Sequence, residues 1–179
     1  MHFLDIRKAY FNGRPKRDLY VRLPPELGLG RDAVGKLERC MYGTRDAGAI
    51  WEWTYTQALL AIGFIQGSSN PCCFRHPQWN LSLVVHGDDF TCLGTDEALS
   101  KYEDALGKAF ECELRGRLGS EAGDLKETKV LNRILRVTER GLAYEADPRH
   151  AELLAKSMGV DQTEGRRVIQ TPGIKAYTE

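Results

Sequence analysis

Long apolar runs are missing from this chain of 179 residues. None approaches the roughly 20 residues that a membrane-crossing helix needs, so no membrane partner is expected. The opening Met1-His2-Phe3-Leu4-Asp5 meets a charge at once, which leaves no room for the apolar region of a secretion signal. These absences lead to the expectation of an intracellular, cytoplasmic protein. Net charge is missing too, with 25 Lys and Arg against 25 Asp and Glu, which argues against a binder that attracts nucleic acid with its whole surface. Cysteine is sparse and odd in number: five residues without framework spacing imply reduced thiols rather than disulfides. Cys72, Cys73 and His76 have zinc-ligand chemistry, but adjacent strand side chains point to opposite faces and no second ligand pair has suitable spacing. Repeats, low-complexity segments and Gly/Ser linkers are absent as well, which leaves one main domain and a short C-terminal extension.

What is present, 42% hydrophobic and 28% charged residues, is the composition of an ordinary globular protein. Phe3-Leu4-Asp5-Ile6 reads as a strand, and Lys8 to Gly13 as a helical turn stopped at Asn-Gly. Tyr20-Val21-Arg22-Leu23 alternates like a strand until Pro24-Pro25. A helix capped by Thr44 or Asp46 lines up Ile50, Trp51, Tyr55, Ala58, Leu59 and Ile62 and ends at Gly63. Strands are expected at Cys72 to Arg75 and Leu81 to Val85, the latter returning as Phe90 to Leu93 after a Gly87-Asp88 turn. A second helix from Thr95-Asp96 puts Leu99, Tyr102, Leu106 and Phe110 on one side. Val130 to Thr138 and Leu142 to Tyr144 read as a hairpin around Glu139-Arg140-Gly141. The last helix has Asp147 as cap, Pro148 at its first position and Gly159 past its end. The fold class is α+β, an antiparallel sheet backed by helices with a hairpin-helix extension.

Three carboxylates carry the candidate chemistry: Asp88 and Asp89 in His86-Gly87-Asp88-Asp89-Phe90, and Asp5 far upstream. Brought together at strand ends they repel each other, and a divalent cation supplies the compensating charge. An isolated Gly-Asp-Asp is equally an ordinary polar hairpin turn. Basic residues Arg7, Lys8, Arg14, Lys16, Arg17 and Arg22 crowd the first segment, a pattern that suits a phosphate-rich partner or a plain solvated face.

Several ordered motifs go further. Asp5-Ile6-Arg7-Lys8-Ala9-Tyr10-Phe11-Asn12-Gly13 resembles the first catalytic motif, Asp-Ile-Lys-Thr-Ala-Phe-Leu-Asn-Gly, of the reverse transcriptase of Ty1/copia-type retrotransposons. Leu19-Tyr20-Val21 and Pro24-Pro25-Glu26 follow where that family has a similar strand and Pro-Pro. Lys36-Leu37 through Met41-Tyr42-Gly43-Thr44-Arg45-Asp46-Ala47 to Trp51 is similar to its Lys-Leu-x-x-x-Leu-Tyr-Gly-Leu-Lys-Gln-Ala-Pro-Arg-x-Trp. Gly63-Phe64 and Ser69-Asn70-Pro71-Cys72 resemble its Gly-Phe and Ser-Asp-Pro-Cys, and His86-Gly87-Asp88-Asp89 its Tyr-Val-Asp-Asp. The likeness is strong to Leu93 and looser from Arg133 to Thr171-Pro172.

The resemblance implies a polymerase palm-like domain over residues 1–128 and a thumb-like or connection region of hairpin, helix and tail over 129–179. It implies an RNA-directed DNA polymerase that adds deoxynucleoside triphosphates to a primer on an RNA or DNA template. Mg²⁺ or Mn²⁺ would sit on Asp5 and Asp88, supported by Asp89 and the Ile6 carbonyl. Tyr10 falls at the aromatic position under the sugar, or is simply a core aromatic. Gly43 and Arg45 fall in the segment lining nucleotide and template, or in an exposed capping stretch. His86, Gly87 and Asp46-Ala47-Gly48 depart from the pattern, and Asp46 adds a negative charge near the expected triphosphate. The family's fingers segment precedes its first motif and its RNase H region follows Ser-Thr-Pro, so the expectation is a fragment or decayed remnant of an element polyprotein. The alternative is a catalytically inactive remnant that binds nucleic acid through Arg7, Lys8, Arg14, Lys16 and Arg17.

Overall fold

The computed structural model describes residues 1–30, 32–146 and 148–159. The chain divides into two compact units, Met1–Lys126 and Glu127–Glu179. Among the described residues, antiparallel sheets and three α-helices make the fold a mixed one.

The larger unit begins with β1 (His2–Ile6) and a 3-10 turn over Ala9–Asn12. Then come β2 (Tyr20–Arg22), β3 (Val34–Lys36), α1 (Ala47–Ile62) and β4 (Ile65–Gln66). β5 (Cys73–His76), β6 (Leu81–His86), β7 (Asp89–Leu93), α2 (Asp96–Gly107) and β8 (Cys112–Arg117) complete it. Six strands form one sheet in the order β4-β5-β6-β7-β1-β8, and each neighbouring pair is antiparallel. β1, buried at four of its five positions, is inserted between β7 and β8 although it comes first in the chain.

Strand alternation sorts the two faces of this sheet. Leu4, Ile6, Phe74, Leu81, Leu83, Val85, Phe90 and Cys92 point to a core shared with Trp51, Tyr55 and Leu59 of α1 and Leu99, Tyr102 and Leu106 of α2. Asp5, Ser82, Val84, His86 and Asp89 fall on the alternate positions and keep some contact with solvent. α1 ends at Gly63, whose φ of 109° releases the chain into β4. α2 starts at Thr95, whose side chain accepts a hydrogen bond from the Ala98 N–H at 3.4 Å. Between these elements His76 is buried and stacked on Trp79. Its Nδ1 accepts the Trp79 N–H, so the proton sits on Nε2, 3.2 Å from the Ile62 carbonyl. Both ring nitrogens are therefore committed to backbone, and His76 is a packing residue against Phe64 and Trp79 rather than a zinc ligand.

A tie that sequence reading misses joins α1 to the β6–β7 turn. Trp51 is 2% exposed among Tyr55, Phe90 and Phe110, and its indole N–H donates to the Gly87 carbonyl at 2.7 Å. Gly13 secures the other end of the first motif: a Cβ there would stand 2.7 Å from Ile50 Cγ2, so only glycine lets the 3-10 turn lie against α1.

Three expectations need correction. Asp46 precedes α1 but makes no side-chain cap, because its carboxylate is taken by Arg17 at 2.6 Å. Val130 to Thr138 is not one strand: Leu131 and Asn132 have φ of 48° and 64° and separate β9 (Glu127–Val130) from β10 (Arg133–Thr138). With β11 (Gly141–Glu145) these form the three-stranded antiparallel sheet of the smaller unit, in which Arg136 pairs with both Glu127 and Glu145. β8 was not expected from the sequence at all. α3 (Pro148–Ser157) follows β11; the expected cap Asp147 and the Thr171-Pro172 motif lie outside the described residues.

Replacing Trp51 with Phe should destabilise the chain by about 2 kcal/mol, from one lost hydrogen bond plus a partly filled cavity, as measured by urea denaturation. A change within about 0.5 kcal/mol, the range of ordinary surface substitutions, would contradict the tie. Thiol reactivity offers a second check. Burial pushes the Cys92 thiol up to about 12 and that of half-buried Cys112 to about 11, and it raises that of buried Cys40. Native protein at pH 8 should therefore react promptly with a disulfide reagent at half-exposed Cys72 and Cys73, and at Cys40 and Cys92 only after denaturation. Rapid native labelling of Cys92 would show the sheet core to be open.

Candidate active site

Asp5 reaches the site by strand pairing. In the β1–β7 ladder Asp5 is directly opposite Asp89, and one step on, the Ile6 N–H donates to the Asp88 carbonyl at 3.0 Å. The β6–β7 connection is a two-residue turn of Gly87 and Asp88. Gly87 has φ of 65° and thus fills the position where a two-residue hairpin turn favours glycine. One oxygen from each of Asp5, Asp88 and Asp89 lies within 4.8 Å of the others. The side chain of Asp5 is 16% exposed and that of Asp89 42%, while Asp88 is exposed at the turn. Partial burial raises the Asp89 pKa above the usual carboxylate range; Arg115 opposes that shift, and Asp88 and Asp5 add to it.

Arg115, absent from the sequence-level candidates, stands over this pair. Its guanidinium nitrogens lie 2.8 Å from Asp5 Oδ1 and 3.3 Å from Asp89 Oδ1. The contact to Asp5 is an ion pair whose N–H is poorly aligned on the buried Oδ1, and no other donor among the described residues serves that oxygen. A buried carboxylate oxygen served only by a poorly aligned ion pair, next to two further carboxylates, fits a hard divalent cation such as Mg²⁺ or Mn²⁺.

Aromatic rings form the adjoining wall. Tyr10 is half-buried and meets Tyr42 edge-on at 4.6 Å, and Phe11 meets the same ring at 5.8 Å. The Tyr42 phenol is raised by partial burial and then by the nearby charge of Asp88, with Tyr10 and Asp5 adding to it. Tyr42, not singled out from the sequence, stands next to Gly43 in the second motif and in ring contact with Tyr10 and Phe11. Gly43 has φ of 85° with open space around it, so its glycine serves the backbone. Arg45 is exposed and lines a cavity of about 350 Å³ with Lys16, Arg17, Asp46, Ala49 and Ile50. The three aspartates are not among those walls. The negative charge of Asp46 is offset there by Arg17. Arg7 is likewise engaged, by Glu111 at 3.0 Å and Glu113 at 3.1 Å.

The model of a family described as reverse transcriptase (RNA-dependent DNA polymerase) matches residues 1–120. Among similar proteins, the truncated transposon Ty1-A Gag-Pol polyprotein of Saccharomyces cerevisiae is 33% identical over 94 residues, 52% of this chain and 8% of that polyprotein. The Ty1-DR5 and Ty1-LR2 Gag-Pol polyproteins of the same yeast show the same identity over 94 residues, which is 5% of their length. The matched stretch is thus a small part of those polyproteins. The family match over residues 1–120 spans both aspartate motifs, and the chain belongs to the reverse transcriptase family of Ty1/copia-type retrotransposon Pol polyproteins.

Proposed function

We propose that this chain is the palm portion of an RNA-directed DNA polymerase, in which a primer 3′-hydroxyl attacks the α-phosphate of a deoxynucleoside triphosphate and pyrophosphate leaves. The observation that carries the reading is the convergence of three carboxylate oxygens within 4.8 Å on a turn and a neighbouring strand. Asp5 and Asp88 are the principal ligands of Mg²⁺ or Mn²⁺, with Asp89 in support and the Ile6 carbonyl completing the set. Divalent ions held there would supply Lewis-acid chemistry, lowering the pKa of the attacking hydroxyl and stabilising the leaving oxygens.

The protein's part is positioning and charge. The β1–β7 pairing holds Asp5 against Asp89, and Gly87 presents Asp88 at the tip. The Tyr10 ring packs under the sugar of the incoming nucleotide, where a 2′-hydroxyl would collide with it, and Tyr42 braces that ring. Gly43 and Arg45 line the path of nucleotide and template, and Lys16 beside Arg45 adds positive charge for phosphates. The ion pair of Asp46 with Arg17 supports nucleotide binding, because it offsets the charge that would repel a triphosphate. The ion pairs of Arg7 and Arg17 engage two of the five cations on which the purely binding alternative relies.

Primer extension on an RNA template by the purified chain tests this reading. Asp88→Asn should reduce magnesium-dependent extension by about a hundredfold or more, the scale of losing a key electrostatic group, while the thermal midpoint stays near that of the parent. Full extension by a folded Asp88→Asn protein would overturn the assignment of Asp88. Salt-sensitive template binding with no extension by the parent chain would favour the binding-only alternative.

A further inference from the structure

We propose that Arg115 is a built-in counter-cation of the aspartate pair, which holds Asp5 and Asp89 together in the metal-free protein and must be displaced when a divalent cation binds. The inference rests on the reading that these aspartates are metal ligands.

Strand alternation and a local irregularity together place Arg115 at the site. Along β1 and β8, Phe3 is opposite Gly116 and Leu4 is opposite Leu114, so the register shifts by one residue and Arg115 is the extra one, without a cross-strand partner on β1. Counted from the Asp5–Glu113 pair, alternation already puts Arg115 on the outer face with Asp5 and Glu113. The bulge spares it a place opposite Phe3, and its guanidinium reaches Asp5 and Asp89. The Glu113 carboxylate, a further like charge on that face, is taken up by Arg7.

The geometry of the contact is that of a bridge. One guanidinium nitrogen serves Asp5 and another serves Asp89, in place of two parallel bonds to a single carboxylate. The shorter contact lacks hydrogen-bond alignment, so its strength is mainly Coulombic and a compact divalent charge can replace it. The Arg115 side chain is 56% exposed, which leaves the guanidinium a path into solvent. Metal and guanidinium therefore compete for Asp5 Oδ1, and a competitor that is tethered lowers apparent metal affinity by the fraction of time it occupies the site.

The test measures Mn²⁺ binding to the full chain by electron paramagnetic resonance, with thermal midpoints in EDTA and in Mn²⁺. Arg115→Gln removes the competing charge and should bind Mn²⁺ about tenfold more tightly, within the usual range of coupling between two ligands. It should also melt at a lower temperature than the parent in EDTA and gain more from added Mn²⁺. Arg115→Lys keeps the charge but cannot bridge two carboxylates, so it should tighten binding by a smaller factor; it carries the test if the Gln variant does not fold. Equal or weaker Mn²⁺ affinity in the folded variants, with clear binding by the parent, would overturn the role of Arg115 and leave the aspartates as ligands. No saturable Mn²⁺ binding by the folded parent or either variant would overturn both.

Discussion

The antiparallel pairing of β1 with β7 is the constraint on which the rest depends. It joins residues more than eighty positions apart and sets Asp5 directly across from Asp89 on the sheet face that the helices leave open. Like charges in directly opposed positions destabilise a strand pair. Two unit charges about 4 Å apart interact by roughly 1 kcal/mol in water and about 4 kcal/mol at the effective dielectric of a protein surface. Against the 5–15 kcal/mol of net stability typical of a domain, that is a cost a fold can carry but not ignore. The structure meets it with the Arg115 guanidinium on the outer face and with a deep apolar core beneath, from Leu4 and Ile6 to Phe90 and Trp51.

The core and the site are mechanically linked. Trp51 fills the space between α1 and β7 and binds the Gly87 carbonyl with the same side chain. The helix thus fixes the turn that presents Asp88. On the other side, Gly13 lets the 3-10 turn approach Ile50, which keeps Tyr10 at the edge of the core and in contact with Tyr42. The first motif, the second motif and the aspartate turn are therefore three parts of one packed unit.

Much of this was legible locally. α1 announces itself by the spacing of Ile50, Trp51, Tyr55 and Leu59 and by Gly63, and the β6–β7 hairpin by alternation interrupted at Gly87-Asp88. What was not legible is set by partners distant in sequence. β8 has no apolar alternation, since Glu113, Leu114 and Arg115 are all exposed; it is a strand because β1 offers an unpaired edge. Its register with β1, and so the nearness of Arg115 to Asp5, leaves no trace in the order of residues. The break at Leu131-Asn132 was hidden because leucine rarely adopts a left-handed conformation. Asp46 looked like a helix cap and a misplaced charge; Arg17, 29 residues earlier, changes both meanings.

On the proposed reading, Asp5, Asp88 and Asp89 converge to hold a divalent cation. The most direct measurement is anomalous diffraction from crystals of the chain grown with Mn²⁺. A manganese peak is expected within coordination distance of carboxylate oxygens from Asp5 and Asp88, with the Arg115 guanidinium moved off Asp5. A well-ordered site that shows no manganese peak, with Arg115 still bridging Asp5 and Asp89, would contradict it.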